Sequence, residues 1–319
     1  MVLSCARMAD PSQGQRIADS PLHRIGYVRV RDGTRLHYLD WGGHGTNLVL
    51  LAGLGASAHT FDDLAPQLTD CFRVIAITRR GTGESARPNS GYDVPSRTRD
   101  DIDVLDSLGI KSALFVGHSV AGDELTELAT HYPDRVIGLV YLDAAYDRAT
   151  TPPLRPDDPV FHRAPRASRG KTFTEMLDVQ RRLPLGLTPA MVADLSKTMR
   201  GPRDEIIASP PDSIAHEMIT ETRNWHPDYR PIKAPAIAIY AFSPARPTNV
   251  TNIWGLDSTE LEKSNADWRT EHWAWQRQEI ERFRQQDPQV RIIELNPADH
   301  LVYFSNPSDV LAAIRAFCR

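Results

Sequence analysis

The sequence predicts an α/β fold with a mostly parallel sheet and helices on both faces. Continuous apolar runs, typical of strands buried on both faces, alternate with segments of helical periodicity along most of the 319 residues. Asp32-Gly33 lies between two segments of alternating apolar and polar residues over 25–41, which predicts a hairpin and an antiparallel edge. From residue 147 to about residue 232 the alternation stops, and prolines and short helical patterns replace it. Structureless loops of that length are rare, so this interruption predicts an inserted helical cap.

The hairpin supplies the first two strands of a predicted eight-stranded sheet, and buried apolar runs supply the others. These further strands are predicted at 47–53, 73–78, 112–117, 136–143, 234–240 and 290–295. Helices are predicted at 61–72, 94–108, 120–132, 266–286 and 309–318. Gly109 and Pro133 support two of the helix ends, because glycine favours the position after a helix and proline cannot continue one. Strands and helices that alternate in this way favour a parallel sheet covered on both faces.

The same pattern divides the chain into segments. Residues 1–22 are polar and are predicted to be a flexible N-terminal segment. Residues 23–146 and 233–319 form the predicted α/β core, and residues 147–232 form the predicted helical cap.

Composition excludes several classes of protein. Lys and Arg number 37 against 41 Asp and Glu, so the net charge of −4 gives no sign of a nucleic-acid partner. No apolar run approaches the ~18 residues of a membrane span, and 41% hydrophobic residues exclude wholesale disorder. Cys5, Cys71 and Cys318 are scattered, so we expect neither a zinc site nor a disulfide framework. The oligomeric state leaves no trace in the sequence.

The N-terminus bears on location. It lacks a complete secretory signal, which predicts a cytoplasmic protein. Val2-Leu3-Ser4-Cys5 faintly resembles a bacterial lipidation box, so a truncated export or lipidation signal stays open.

The candidate nucleophile is Ser119, in the segment Gly117-His118-Ser119-Val120-Ala121 that joins a buried strand to a helix. A sharp turn there holds a serine clear of the sheet and requires small neighbours two residues away. This segment resembles the nucleophile elbow of the α/β-hydrolase family, G-x-S-x-G, with Ala121 in place of the second glycine. The simpler interpretation is that Ser119 only caps the following helix.

The resemblance extends to two further segments. Leu51-Ala52-Gly53-Leu54-Gly55 follows a strand where the family often has His-Gly-x, and Ala52 departs from the usual histidine. It implies that the backbone amides of Leu54 and Val120 form the oxyanion hole. Arg79 to Ser85 is similar to the family's D-x-R-G-x-G-x-S turn, and we expect a structural role for it, with solvated loop charges as the alternative.

The candidate base is His300. By the resemblance, the base lies on the loop after the last strand and before a terminal helix, and His300 is the histidine at that place. We expect the neighbouring His118 to point away from the substrate, into packing.

The candidate acid is Asp143, at the carboxyl end of the sixth strand. The stretch after the seventh strand, where most members of the family place the acid, contains no Asp or Glu. Haloalkane dehalogenases and some other relatives use the position of Asp143, whose task would be to accept the imidazole N–H. Asp257 is the best rival, while Asp299 adjoins His300 and Asp147 lies slightly too late in the chain.

These residues predict a serine hydrolase that acts on a carboxylic ester or lactone through an acyl-enzyme and needs no metal or organic cofactor. The apolar cap predicts a small-molecule substrate with a hydrophobic part. We expect Trp268 and Trp275, seven residues apart, to face the core. An amide or C–C bond hydrolase of the same fold and a non-catalytic ligand-binding protein stay as alternatives. Ser119 argues against dehalogenase and epoxide-hydrolase chemistry, which by the resemblance needs an aspartate there.

Overall fold

The computed structural model describes residues 23–152, 172–180, 189–207, 212–244 and 258–318. The predicted flexible segment 1–22 and the rival acid Asp257 lie outside these residues.

The described residues form one sheet of eight strands. The strands are β1 (Arg24–Arg29), β2 (Arg35–Gly42), β3 (Thr46–Leu51), β4 (Phe72–Thr78), β5 (Ala113–His118), β6 (Val136–Leu142), β7 (Ala236–Ala241) and β8 (Arg291–Leu295). Their order across the sheet is β1-β2-β4-β3-β5-β6-β7-β8. The first two strands are antiparallel, and all strands from β4 to β8 in that order are parallel. The predicted fold class is confirmed.

The α-helices alternate with the strands. They are α1 (Val94–Ser107), α2 (Ala121–His131), α3 (Phe173–Gln180), α4 (Pro189–Met199), α5 (Asp212–Asn224), α6 (Ser258–Gln286), α7 (Val302–Ser305) and α8 (Pro307–Arg315). The prediction of a helix over 61–72 is wrong, because two short 3₁₀ turns, Ala58–Phe61 and Ala65–Leu68, occupy this stretch. Pro66 explains the difference, since proline lacks the N–H that a continuing α-helix needs. No helix within the described ranges is long and apolar enough to cross a membrane.

Two apolar cores cover the two faces of the sheet. Side chains alternate along β3, so that Val49 and Leu51 belong to one core while Leu48 and Leu50 belong to the other. The first core takes residues from α1, α2 and α6, and the second takes residues from the 3₁₀ turns and α8. Both cores bury their sheet residues almost completely. The layers therefore leave the carboxyl edge of the parallel strands as the place where loops can form a site.

The stretch between β6 and β7 contains α3, α4 and α5, together with two isolated antiparallel bridges, Thr172–Glu205 and Arg200–Ile206. The bridges are short β contacts where the sequence shows no clear strand. The boundaries 147–232 of the cap stay a prediction, because parts of this stretch lie outside the described residues.

The structure contains one disulfide that the cysteine spacing did not indicate. Cys71, just before β4, and Cys318, just after α8, are disulfide-bonded although 247 residues separate them. Their Cα atoms lie 5.8 Å apart because α8 packs back beside the start of β4, where Arg315 also pairs with Asp70 at 2.9 Å. Sequence spacing alone does not reveal a contact of this kind.

The arginines of the Arg79–Ser85 turn are buried and paired, so they are not solvated loop charges. Arg79 donates to Glu124 of α2 and to the carbonyl oxygen of Ala52. Arg80 makes two hydrogen bonds of 2.6 Å to Asp100 of α1. These pairs fasten the turn after β4 to the two helices behind the sheet's carboxyl edge.

Candidate active site

Ser119 occupies a strained turn between β5 and α2. Its φ of 55° lies in the left-handed region, which residues other than glycine rarely adopt. Small neighbours permit this turn: a Cβ on Gly117 would lie 2.6 Å from Leu125 and 3.1 Å from Ala121. Ala121, which stands where the family motif has its second glycine, is fully buried beside this turn, so an alanine side chain is small enough for the position. The Ser119 side chain thereby points away from the sheet, at the carboxyl end of β5.

The structure brings the three predicted triad residues together. The Nε2 atom of His300 lies 3.0 Å from Oγ of Ser119, and its Nδ1 atom lies 2.6 Å from Oδ2 of Asp143. A carboxylate can only accept, so Nδ1 carries the proton and Nε2 is left to accept the serine hydroxyl proton. The residues come from the carboxyl ends of β5, β6 and β8, which meet at one edge of the sheet.

Asp143 is held by donors other than His300 as well. Its Oδ1 atom accepts the N–H of Ala241 at 3.0 Å and the hydroxyl of Tyr146. Burial alone would raise the pKa of Asp143, but the hydrogen bond and charge of His300 outweigh it and hold that pKa below its usual value. The carboxylate is therefore ionised where the imidazole meets it.

The two rival acids within the described residues, Asp299 and Asp147, form no hydrogen bond with the His300 side chain. Asp299 turns to Ser243, whose hydroxyl donates to it at 3.4 Å, and its own N–H donates to Ser305. Asp147 instead pairs with His226 and Arg282, at 3.0 Å and 2.7 Å.

His118 supports the loop of the candidate base. Its side chain is buried, as expected, and its Nε2 atom donates to the carbonyl oxygen of His300 at 3.0 Å. The two rings pack with centroids 4.6 Å apart. Burial, helped by the neighbouring His300, lowers the pKa of His118 to about 3, so this imidazole is neutral at physiological pH.

The loop predicted to form the oxyanion hole lies against the nucleophile. A Cβ on Gly53 would lie 2.7 Å from Nδ1 of His118 and 3.2 Å from Cβ of Ser119, so only glycine allows this approach. Among the described residues, no acceptor binds the N–H of Leu54 or that of Val120. Both amides are thus free to donate; that of Val120 directly follows Ser119, and that of Leu54 follows the glycine that approaches Ser119.

Three residues around the site were not predicted from the sequence. Tyr146 donates to Asp143, and Gln276 of α6 donates to the hydroxyl of Tyr146 at 2.8 Å and to the carbonyl oxygen of Ala241 at 2.9 Å. Arg148 donates to the carbonyl oxygen of Ser119 and to the side chain of Asp123. Only the closeness of Tyr146 and Arg148 to Asp143 in the chain could have drawn attention to them.

A cavity of about 250 Å³ adjoins Ser119 and His300. Helix α6 contributes Trp268, His272 and Trp275 to its wall, and α5 contributes Ile219 and Arg223. The expectation that Trp268 and Trp275 face the core is confirmed for Trp275, which is buried in the first core, whereas Trp268 is only half-buried. Both also line this cavity. Burial lowers the pKa of His272 to about 4, so the α6 wall presents neutral aromatic rings.

The parallel sheet, together with a serine on a sharp turn beside a histidine and a buried aspartate, agrees with the α/β-hydrolase class that the sequence resembles. The model of the alpha/beta hydrolase family matches residues 48–314. The chain belongs to the alpha/beta hydrolase family.

Individual relatives cover only part of the chain. A bifunctional epoxide hydrolase 2 of Mus musculus is 34% identical over 137 residues, 42% of this chain and 23% of that protein. A bifunctional esterase/perhydrolase of Acinetobacter calcoaceticus is 32% identical over 132 residues, 41% of this chain and 46% of that protein. The matches thus span less than half the length of these relatives. The crystal structure of E-2-(acetamidomethylene)succinate hydrolase superposes with a TM-score of 0.65 at 19% identity, covering 92% of this chain and 98% of that one, which shows the shared fold.

Proposed function

We propose that this chain is a serine hydrolase that cleaves a carboxylic ester or lactone through an acyl-enzyme. One observation carries the proposal: Ser119, His300 and Asp143 form a continuous hydrogen-bonded chain with contacts of 3.0 Å and 2.6 Å. A serine hydroxyl is a poor nucleophile at neutral pH, and an oriented imidazole that removes its proton is what activates it.

In the first half of the reaction, Oγ of Ser119 attacks the substrate carbonyl while Nε2 of His300 takes the hydroxyl proton. Asp143 accepts the N–H of Nδ1 and stabilises the imidazolium that forms. The amides of Leu54 and Val120 donate to the oxyanion of the tetrahedral intermediate. When this intermediate collapses, His300 gives the proton to the leaving alkoxide oxygen, and the acyl group stays on Ser119.

Water completes the reaction. His300 takes a proton from a water molecule as the water oxygen attacks the acyl carbonyl, and the same amides hold the second oxyanion. Collapse of this intermediate returns the proton to Oγ of Ser119 and releases the carboxylic acid. A lactone follows the same steps, with the alcohol and the acid on one product molecule.

The cavity supports a substrate with a hydrophobic part. Trp268, Trp275 and Ile219 present apolar surface beside Ser119, which suits an acyl or alkyl group. The relative named as an esterase supports ester chemistry for this chain.

The test is labelling with a fluorophosphonate, followed by peptide mapping, together with turnover of p-nitrophenyl esters of increasing acyl length. We expect the label on the peptide containing Ser119, and we expect Ser119→Ala to lose both label and turnover, with kcat lower by at least ~10³-fold. Thr130→Ala, a hydroxyl of α2 that donates only to the backbone of Thr126, is the control that keeps full activity.

Two results would overturn parts of the proposal. Tight ligand binding without label or turnover would make the chain a non-catalytic binding protein. Faster hydrolysis of an amide than of the matching ester would keep the serine nucleophile and discard the ester assignment.

The remaining expectations about context are proposals too. They are a small-molecule substrate, no nucleic-acid partner and a cytoplasmic location. The Cys71–Cys318 disulfide weighs against that location, because such bonds persist mainly in oxidising compartments. Thiol counting on protein isolated with its thiols blocked at lysis, and fractionation of the producing cells, decide the point.

A further inference from the structure

A second cluster of chemically active side chains lies apart from the residues that line the cavity beside Ser119. His23 precedes β1, His59 belongs to the 3₁₀ turn Ala58–Phe61, and Asp62 follows that turn. One potential ligand atom from each of the three residues lies within 4.8 Å of those of the other two. The cluster joins the start of the described chain to the turn that follows the loop carrying Leu54.

The contacts inside the cluster are incomplete. Nδ1 of His59 lies 2.8 Å from Oδ2 of Asp62, a hydrogen bond, but Nε2 of His23 lies 3.4 Å from Oδ1 of Asp62 and makes none. The Asp62 side chain is only 2% exposed, and its Oδ1 atom has no hydrogen-bond partner among the described residues. The same holds for the buried Nδ1 atom of His23. A buried carboxylate oxygen without a partner is costly, so this arrangement is one that a bound cation would complete.

The donor set identifies the kind of cation. Two imidazole nitrogens and one carboxylate oxygen suit zinc and its first-row neighbours, whereas magnesium and calcium prefer oxygen ligands alone. Ligand atoms about 2.0–2.1 Å from a tetrahedral ion lie roughly 3.3 Å from one another. The two nitrogen–oxygen separations, 2.8 Å and 3.4 Å, go to different oxygens of Asp62 and lie within about 0.5 Å of that value. The three ligand atoms together lie within 4.8 Å of one another, so the side chains must draw together by up to about 1.5 Å to hold the ion.

We propose that His23, His59 and Asp62 form a binding site for a divalent transition-metal ion of the zinc type. The ion takes the three side chains as ligands and leaves one tetrahedral position to water. Its binding ties the segment before β1 to the turn after the Leu54 loop.

The chain offers a matched control within itself. His226 and Asp147 also form a histidine–aspartate pair, at 3.0 Å, but their third neighbour is Arg282, whose guanidinium lies 2.7 Å from the same carboxylate oxygen. A fixed positive charge at that place repels a metal ion. His226 is therefore the histidine to replace in a variant that should bind metal normally.

The experiment uses the full chain without a polyhistidine tag, stripped of metal by chelator and dialysis. Zn²⁺ binding is measured by isothermal titration, and Co²⁺ is added separately to record its visible ligand-field absorption. The proteins are the wild type, His23→Gln, Asp62→Asn and His226→Gln, and Mg²⁺ is titrated as the oxygen-preferring ion.

We expect the wild type and His226→Gln to bind one equivalent of Zn²⁺ with equal affinity and to give the intense absorption of four-coordinate Co²⁺. His23→Gln and Asp62→Asn should bind at least tenfold more weakly, and Mg²⁺ should not bind. Equal Zn²⁺ affinity in the wild type and in His23→Gln, or no stoichiometric binding by the wild type, overturns the proposal.

The metal-binding result can be separated from effects of the substitutions on folding and from the proposed hydrolase activity. Asp62 is buried, so its variant is first compared with the wild type by circular dichroism. If it is unfolded, His23→Gln, which replaces a residue at the edge of the described chain, and the Co²⁺ spectrum of the wild type decide alone. Binding is read without any substrate, so failure of the metal proposal and failure of the hydrolase proposal are separate outcomes.

Discussion

Two aspartates four residues apart in the chain, Asp143 and Asp147, each pair with a histidine, and the two pairs have different surroundings. Asp143 and Asp147 are both almost completely buried, and each meets an imidazole Nδ1 atom, of His300 at 2.6 Å and of His226 at 3.0 Å. Asp147 also receives Arg282, so a permanent charge balances it. Among the described residues, Asp143 has only neutral donors besides His300, so in the proposed mechanism the charge that balances it is the proton that His300 acquires.

The pKa values do not separate the two pairs. Burial would raise the pKa of each aspartate, and the partners of each bring it below its usual value, through His300 at Asp143 and mainly through Arg282 at Asp147. Both carboxylates are ionised at neutral pH. What distinguishes the pair at Asp143 is the next group along, since the far nitrogen of His300 reaches Ser119. What a histidine–aspartate pair can do therefore depends on the third group that contacts it, which is Ser119 in one pair and Arg282 in the other.

The largest expected effect is a difference in kcat between the asparagine variants of Asp143 and Asp147. Asp143→Asn should lower kcat on the order of 10⁴-fold, because an amide favours the wrong imidazole tautomer and cannot stabilise the imidazolium. Asp147→Asn should leave kcat within about threefold for the folded fraction, although it removes the nearer of the two carboxylates that pair with Arg282 and lowers stability. Steady-state kinetics on an ester substrate measure both. Full activity in Asp143→Asn would show that the acid lies elsewhere, with Asp257 as the first residue to replace.

The next effect concerns His118, a buried histidine whose hydrogen bond is to a backbone carbonyl and not to an aspartate. Its pKa is about 3 in the folded protein and about 6.5 in the unfolded chain, so between these values only the unfolded chain takes the proton. Its contribution to stability is complete above pH 6.5 and is lost as the pH falls. We expect the wild type to lose about 2.5 kcal/mol more than His118→Gln between pH 7 and pH 4.5. Urea unfolding at the two pH values measures the difference, and equal losses would contradict the assignment.

A smaller effect is expected at Tyr146, a positioning residue that acts through Asp143. Tyr146→Phe removes one hydrogen bond to a charged group, worth about 1.5–3 kcal/mol, while the Ala241 amide still holds the same oxygen. The kcat value should fall on the order of tenfold with KM unchanged, because this hydroxyl is already bonded to Asp143 and Gln276. The matched control is Tyr240→Phe, whose hydroxyl donates at 3.1 Å to the carbonyl oxygen of Ala145. Equal losses in both variants would indicate a general packing effect.

The smallest effect is expected at His226, whose side chain is 64% exposed. An exposed ion pair contributes little, and Arg282 keeps Asp147 paired, so His226→Gln should change the free energy of unfolding by less than about 1 kcal/mol. Its kcat should equal that of the wild type. Thermal unfolding and ester turnover check the two statements. A large loss of stability or of turnover would contradict the view that the His226–Asp147 pair, unlike the His300–Asp143 pair, has no part in activity.

The fold could be predicted from the sequence because each parallel strand carries its own local signal. The apolar runs that became β3 to β8 are bounded within one or two residues of their observed ends. The 3₁₀ turn that contains Pro66 was not predicted, because the helical periodicity of the stretch outweighed a single proline. The start of α6 at Ser258 was not predicted, because the polar stretch there lacks helical periodicity. Contacts between distant parts of the chain, such as Cys71 with Cys318, leave no local pattern.

The candidate site follows the same rule. The positions of Ser119 and His300 could be predicted because each lies in a loop with a recognisable strand before it. Asp143 could be placed from the rule that neighbouring parallel strands end at one edge. Gln276 could not, because it reaches Tyr146 across 130 residues of sequence and lies in a helix whose pattern suggests only packing.

Helix α6 faces the cavity with one set of side chains and supports the aspartate with another. Trp268, His272 and Trp275 shape the cavity, while Gln276, the residue directly after Trp275, secures Tyr146 behind Asp143. If the proposed function holds, one helix therefore affects both substrate selectivity and turnover. Under the proposed mechanism, a smaller side chain at Trp275 that enlarges the cavity also disturbs Gln276 and, through Tyr146, the position of Asp143, so substrate scope and turnover are coupled.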